Sequence, residues 1–197
     1  MMKVMQAPGS ALEPFAPPFL RAGEILVAQT ANILLFLAPR LELEHTDEAA
    51  RLRAHQLQLT IADLVSEVHD THHPVDGSLF YEQQKPEAAR RAAHFVKTRL
   101  PKHLGYLERA LAQAGGQHLV GAHSYVDLSV FQVISGLSYA FPRAMKRLGP
   151  TVPLLLDLAA RVAARPQIAA YLESPRRLPF NEKGIFRHYP ELDAEAV

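Results

Sequence analysis

Prolines and glycines limit what the first fifth of this chain can fold into. Six of them fall within residues 8–23, which leaves no room there for a long helix or strand. Apolar residues on both sides of Gly23 predict a short β-hairpin over residues 19–27. A further apolar segment predicts a short helix over residues 30–38. Residues 1–40 therefore hold at most a small hairpin and one helix.

The rest of the chain is patterned as helices. Apolar residues recur at spacings of three and four, which predicts about five helices behind the hairpin. Thr46 is the predicted N-cap of the first long helix, and Pro101 predicts a bend or a break in the second. The helix after Ser124 is the most apolar, so we expect it at the centre of the bundle, followed by a loop at Pro142. The predicted fold class is mainly α, with a small β component (α+β).

Composition excludes several classes of protein. The 197 residues are 48% hydrophobic and carry a net charge of +1, which gives no electrostatic case for binding nucleic acid or anionic lipid. No apolar run is long enough to span a membrane, and Met1–Gly9 lack the apolar core of a secretory signal, so we expect a cytoplasmic protein. The chain has no Cys, which excludes a disulfide framework, a thiolate zinc site and a cysteine nucleophile.

Three motifs go beyond secondary structure. Ser124 and Asp127 have the spacing of a capping box, although such boxes commonly do no more than start a helix. Pro17-Pro18 stands at the entry to a predicted strand, where an X-Pro bond can be cis. Gln29-Thr30 at a helix N-terminus offers an amide, a hydroxyl and free N–H groups to a small carboxylate. Taken singly, the proline pair and the Gln-Thr pair are more typical of a turn and an ordinary N-cap than of a binding site.

Taken together, the motifs resemble those of the cytosolic glutathione transferases, most of all bacterial and sigma-like members. The resemblance covers roughly residues 17–171 and rests on the Pro-Phe-Leu entry, the hairpin, the Gln-Thr pair and the Ser-Tyr-Val-Asp start of the central helix. It implies a partial thioredoxin-like domain at residues 1–40, an all-helical C-terminal domain at residues 46–175 and an irregular tail at residues 176–197. It also implies a detoxifying homodimer whose partners are glutathione, as co-substrate, and a small hydrophobic electrophile, with no other cofactor.

The resemblance implies roles for particular residues. The glutathione-binding set is Pro17, Pro18, Gln29, Thr30 and Asp63. Of these, the second proline matches the family's cis-proline, and the first matches the residue whose backbone pairs with the cysteinyl unit. The Gln-Thr pair matches the residues that hold the γ-glutamyl carboxylate. The Asp is a weaker match to a residue that reaches the γ-glutamyl amine across the dimer. The two capping-box residues match structural positions.

Two departures from the family pattern bear on activity. Pro17 has no N–H, so only its carbonyl can pair with glutathione. A βαβ unit needs about 30 residues, and only residues 1–16 precede the proline pair, so the family's Tyr, Ser or Cys that activates the thiol is not expected in this chain. We therefore assign no catalytic residue and favour a truncated reading frame. The expected function is a glutathione transferase that is weakly active or inactive as given. The alternatives are a non-catalytic binding or dimerisation protein and an unrelated helical bundle.

His69, His72 and His73, with Asp70 beside them, form the densest titratable cluster of the sequence. Imidazoles at this spacing on a helix can face one way and bind a metal ion. Histidines are also favoured near a helix C-terminus by the helix dipole. Because Pro74 ends the helix and no second ligand cluster is evident, we predict no metal site here. The resemblance instead implies that these histidines lie at the mouth of the electrophile pocket.

Overall fold

The structure, a computed structural model, describes residues 14–193. It opens with an antiparallel hairpin of β1 (Phe19–Ala22) and β2 (Ile25–Ala28). Gly23 has a φ of 62° in the connecting turn, a conformation that glycine adopts without steric cost. Helix α1 (Thr30–Leu37) follows directly and ends in a 3₁₀ turn. The hairpin and the short helix that the sequence predicts are both present, whereas the prediction for Met1–Gly9 lies outside the described residues.

Seven further α-helices follow within the described residues. They are α2 (Glu48–Asp70), α3 (Lys85–His94), α4 (Leu100–Gln113), α5 (Tyr125–Ala140), α6 (Pro142–Leu148), α7 (Pro153–Ala163) and α8 (Pro166–Leu172). The chain is thus mainly helical with one small sheet, as expected. None of the helices in residues 14–193 has the length and apolar character needed to cross a membrane.

The break predicted near Pro101 is present, because a π-helical turn (Phe95–Arg99) separates α3 from α4 just before this proline. Two details of the helix prediction are wrong. The N-cap of α2 is Asp47 and not Thr46, because the Asp47 carboxylate accepts from the N–H of Ala50 at 2.8 Å. Pro142 begins a helix instead of a loop, because proline is well suited to the first helical position, where no N–H is needed.

Helix α5 forms the centre of the bundle, as predicted. It packs against α2 on one side and α7 on another, while α4 also contacts α7. Its buried side chains include Val126, Val130, Ile134 and Leu137, each at most 5% exposed. Because helices cover it on more than one side, α5 is buried over more than a single stripe.

The segment after α8 has little regular structure but packs on the bundle. A Cβ added to Gly136 of α5 would lie 2.5 Å from the ring of Phe186, so the glycine makes room for this ring. The Asp193 carboxylate accepts from the backbone N–H groups of Arg143 and Ala144, at 2.6 and 3.0 Å, and so caps α6. The boundaries of the three predicted domains stay predictions.

Candidate functional site

The hairpin brings together two motifs that lie ten residues apart in the sequence. The strand register pairs Phe19 with Ala28, so Pro18 and Gln29 occupy the next position along the two strands. The Pro17–Pro18 peptide bond is cis, the conformation that the family resemblance implies there. Pro17, Pro18, Gln29 and Thr30 are all exposed. Four of the five predicted glutathione-binding residues therefore share one exposed end of the hairpin.

Gln29 has an unusual backbone conformation. Its φ of 69° and ψ of 125° lie in a region that residues other than glycine rarely adopt, because the Cβ meets the backbone there. Such conformations cost about 1–3 kcal/mol and cluster at ligand-binding and catalytic sites. Gln29 is the N-cap of α1, yet its side chain makes no capping hydrogen bond.

The N-terminus of α1 is open to a ligand. Its first turn contains no acidic residue, and no side chain of residues 14–193 caps it. The N–H groups of a first helical turn have no partner within the helix, and the helix dipole adds partial positive charge at this end. The nearby Asn32 amide donates back to the carbonyl of Ala28 at 3.3 Å and is not directed at these groups. This end of α1 is therefore suited to a small carboxylate.

Asp63 lies apart from this group of four residues. It is exposed on α2, and its carboxylate forms no hydrogen bond or ion pair within residues 14–193. Its proposed reach across a dimer involves a second copy of the chain. The assignment of Asp63 to glutathione therefore stays a prediction.

Asp127 ties the loop before α5 to the helix. Its fully buried carboxylate accepts from the N–H of Ser124 through Oδ2 and from the N–H of Leu119 through Oδ1, both at 3.0 Å. The hydroxyl of Ser124 is buried and has no hydrogen-bond partner in the described part of the chain. Only the carboxylate half of the capping box is therefore formed. The arrangement is consistent with the structural roles implied for these two residues.

The predicted histidine cluster does assemble at the end of α2. Its three ring centroids lie 4.7 to 5.2 Å apart. Nε2 of the buried His72 lies 2.8 Å from the carbonyl oxygen of Ile185, which requires a proton on that nitrogen. Burial lowers the pKa of His72 to about 4 and also lowers the pKa of His73. His72 is thus neutral near pH 7 and joins the end of α2 to the segment after α8.

An ion network on α2 was missed by the sequence analysis. Glu67 receives two charge-assisted hydrogen bonds from Arg99, at 2.6 and 2.9 Å, and a third from His103 at 3.0 Å. The bonds from Arg99 lower the pKa of Glu67 to about 2, with His103 contributing further. Nothing in the local sequence marks this network, because its members come from α2, the π-helical turn and α4. Its position within the bundle indicates a structural role.

Few side chains near the hairpin can activate a thiol. Between residues 14 and 37 the only hydroxyl-bearing side chain is Thr30, and there is no Tyr, Ser or Cys. The Tyr81 hydroxyl donates to Glu191 at 2.9 Å, and burial is the main cause of its raised pKa. Burial also raises the pKa of Tyr125, whose hydroxyl has no partner among the described residues. These two phenols therefore hold their protons well above neutral pH.

A cleft of about 560 Å³ in the helical part lies between α2 and α4 and is lined by Leu52, Gln56, Tyr106 and Arg109, among others. None of the predicted glutathione-binding residues lines it. The hairpin site is thus an exposed surface of backbone and polar groups.

Comparisons with known proteins identify a family that the chain resembles. A family model described as the glutathione S-transferase C-terminal domain matches residues 69–175. A Pi-class glutathione S-transferase from Onchocerca volvulus superposes with a TM-score of 0.63 at 22% identity, over 80% of this chain and 69% of that one. The glutathione S-transferase Blo t 8 superposes with a TM-score of 0.69 at 17% identity, over 88% of this chain and 74% of that one. No curated protein sequence matches the chain significantly.

Proposed function

This chain belongs to the glutathione S-transferase family, and on that premise we propose that it binds glutathione at the hairpin and joins the glutathione thiol to small hydrophobic electrophiles. The observation that carries the proposal is the shared exposed surface of Pro18 and Gln29, next to the uncapped N-terminus of α1. In the chain alone, the backbone conformation of Gln29 is unfavourable, and the N–H groups at the start of α1 have no capping side chain. These groups gain a partner when a peptide with a free carboxylate binds.

The groups at this surface match the parts of glutathione. The γ-glutamyl carboxylate binds the N–H groups at the start of α1, with the Gln29 amide and the Thr30 hydroxyl as further donors. Within the described residues β1 pairs only with β2, so its outer edge is available to a peptide backbone. The carbonyl of Pro17 accepts from the cysteinyl N–H. The donor that a residue other than proline would supply here is missing, which weakens binding by about 1 kcal/mol.

In the proposed reaction, the thiol loses its proton to solvent water at this exposed surface, and the sulfur attacks an electrophilic carbon. A carbon–sulfur bond forms, and the bond to the leaving group breaks with its electron pair. The thiolate is the nucleophile, so the rate depends on how far the protein lowers the pKa of the bound thiol.

A second candidate is a non-catalytic binding or dimerisation protein of the same family. It is favoured by the scarcity of hydroxyl groups near the hairpin, where Thr30 is the only one in residues 14–37 and is assigned to the carboxylate. In this case glutathione binds without activation of its thiol. Self-association is part of both candidates, and the exposed Leu52 and Leu59 of α2 offer apolar surface for it.

The binding proposal is tested by titration calorimetry on the full chain. Glutathione and the dipeptide Cys-Gly share the thiol, but the dipeptide lacks the γ-glutamyl carboxylate. We expect Cys-Gly to bind at least about tenfold more weakly, because a charge-assisted hydrogen-bond network is worth about 1.5–3 kcal/mol. Gln29→Ala should weaken the binding of glutathione several-fold. The matched control Glu24→Gln changes an exposed residue of the same hairpin and should leave binding unchanged.

Equal affinity for the two peptides, together with an unaffected Gln29→Ala variant, would show that the hairpin is not the site. Turnover with glutathione and an aryl halide then separates the two candidates. A rate well above the uncatalysed reaction supports the transferase, whereas binding without turnover supports the non-catalytic protein.

A further inference from the structure

A second cluster of potential ligands lies at the start of α5, away from the hairpin. Nδ1 of His118 is 3.3 Å from Oδ2 of Asp127, and Nδ1 of His123 is 3.4 Å from the same oxygen. The centroids of the two imidazole rings are 5.6 Å apart. The loop between α4 and α5 brings them together, helped by Gly121, whose φ of 58° turns the chain between the two histidines.

Both histidine nitrogens are buried without a hydrogen-bond partner among the described residues. Each lies within reach of the Asp127 carboxylate, but neither forms a hydrogen bond with it. Buried polar atoms without partners cost about 1–3 kcal/mol each, and folded proteins contain few of them. A ligand that accepts electron pairs from both rings removes this cost.

The distance from each histidine nitrogen to the carboxylate oxygen fits a shared metal ion, and the three ligand atoms all lie within 4.8 Å of one another. Zinc binds imidazole nitrogen and carboxylate oxygen at about 2.0–2.2 Å, so two tetrahedral ligands lie about 3.3–3.5 Å apart. The two measured nitrogen–oxygen distances, 3.3 and 3.4 Å, fall in this interval. Two imidazoles and one carboxylate are a donor set typical of Zn²⁺ and of neighbouring divalent transition metals.

The carboxylate is already held in place by its surroundings. Leu119 and Ser124 each donate a backbone N–H to Asp127 at 3.0 Å. Outer hydrogen bonds of this kind orient metal ligands and contribute to affinity. Helix α5 and its loop therefore supply a preorganised oxygen ligand between the two imidazoles.

A cleft of about 190 Å³ opens beside the two histidines. Arg161 and Arg165 line it, and Arg161 is bound to the carbonyl oxygens of Gly116 and Gln117 at 3.1 and 2.9 Å. Positive charge here opposes a bare cation but favours an anionic fourth ligand on the ion. The cleft is large enough for such a ligand, for example hydroxide or a small carboxylate.

We propose that His118, His123 and Asp127 bind a divalent transition metal ion, Zn²⁺ by its donor chemistry, with a fourth position open to this cleft. The other histidine cluster (His69, His72 and His73), at the end of α2, is a poorer candidate. There His72 uses one nitrogen on Ile185 and places the other 2.5 Å from Nδ1 of His73, too close for two ligands of one ion. That cluster instead provides a control.

The test uses the full chain stripped of metal and titrated with Co²⁺, whose visible d–d absorption reports tetrahedral coordination. We expect saturation at one equivalent and displacement by Zn²⁺. His118→Gln and His123→Gln should each weaken Co²⁺ at least about tenfold, as expected for loss of a ligand. His73→Gln in the α2 cluster should leave the titration unchanged. Zn²⁺ should also raise the Tm of the wild-type chain but not that of the His118 and His123 variants.

Several outcomes would overturn the proposal. One is an absorption band that survives in both the His118→Gln and His123→Gln variants. Another is a band lost only in His73→Gln, which would assign the ion to α2. A wild-type chain that shows neither absorption nor a shift in Tm on addition of metal would also overturn it. Circular dichroism establishes that each variant is folded, and His118→Ala and His123→Ala repeat the test if a glutamine variant is not.

Discussion

The hairpin with α1 and the helical bundle treat their polar groups in different ways. In the bundle, the buried carboxylates of Asp127 and Asp193 each accept two backbone N–H groups. At the hairpin, Gln29 and Thr30 are exposed, no described side chain caps α1, and none of the residues of α1 is buried. Polar groups that hold a fold together are already bonded. Those at the hairpin are available to a ligand.

The same contrast appears in the backbone. Gln29 occupies a conformation that costs free energy, and no hydrogen bond of its side chain compensates for it. At the start of α5, Ser124 has an ordinary extended conformation and its N–H is bonded to a buried carboxylate. Four substitutions test how far this difference extends, and they follow here from the largest expected effect to the smallest.

Asp127→Ala should have the largest effect. It leaves the N–H groups of Leu119 and Ser124 buried without an acceptor, each at a cost of about 1–3 kcal/mol. We therefore expect the free energy of unfolding to fall by about 3 kcal/mol in urea denaturation with a chelator present. Asp63→Ala on the surface of α2 is the matched control and should change stability by less than about 0.5 kcal/mol. Equal effects from the two substitutions would contradict the role of Asp127 in the bundle.

Glu67 should make the bundle sensitive to acid. Its folded-state pKa of about 2 lies below its ordinary value of 4.5, so its contribution to stability is complete above about pH 4.5 and is lost as the pH falls towards 2. Glu67→Gln should flatten the decline in stability over this interval and cost about 1 kcal/mol at pH 7, since the network is partly open to solvent. Unfolding curves at several pH values measure both effects. A decline of unchanged steepness in the variant would assign the acid sensitivity to other carboxylates.

Gln29→Gly should stabilise the chain, in contrast to the substitutions in the bundle. Glycine adopts a positive φ without the clash of a Cβ, so we expect a gain of up to about 1 kcal/mol. Gln29→Ala keeps the Cβ and should give no gain. Hydrogen exchange of the hairpin and α1 amides measures this change in stability locally. A loss of protection in the glycine variant would show that the Gln29 side chain supports the hairpin.

Ser124→Ala should have the smallest effect. N-cap serines usually contribute about 0.5–2 kcal/mol, but the Ser124 hydroxyl has no partner in the described residues, so its removal leaves no donor unpaired. We expect a change within about 0.5 kcal/mol by urea denaturation. A loss near 2 kcal/mol would mean that the hydroxyl half of the capping box also forms in solution.

Local signals in the sequence were enough to predict much of the fold. Gly23 and its apolar flanks predicted the hairpin, and the Ser-Tyr-Val-Asp start of α5 marked the central helix. The cis bond at Pro18 was expected from the family resemblance and not from the residues alone. Each of these features depends on residues within a few positions of one another.

Features that depend on distant residues were missed. The Glu67–Arg99 pair joins residues 32 apart in the sequence, and the contact of His72 with Ile185 joins residues 113 apart. His118 and His123 were not singled out, because only the loop conformation shows that both approach Asp127. The prediction of Thr46 as the N-cap of α2 was wrong for a different reason. Thr46 and Asp47 are adjacent and both have high capping propensity, so only the position at which the helix begins decides which of them is the cap.

The cap that Asp193 supplies to α6 has a consequence for synthesis on the ribosome. The N–H of Arg143 is translated 50 residues before the carboxylate that accepts from it. At about 5–20 residues per second, α6 waits roughly 3–10 seconds for this partner. Until then the first turn of α6 must bond to water, and the Phe186 ring has not yet arrived to cover Gly136. The bundle of a nascent chain therefore closes last at the start of α6, after its central helices have emerged.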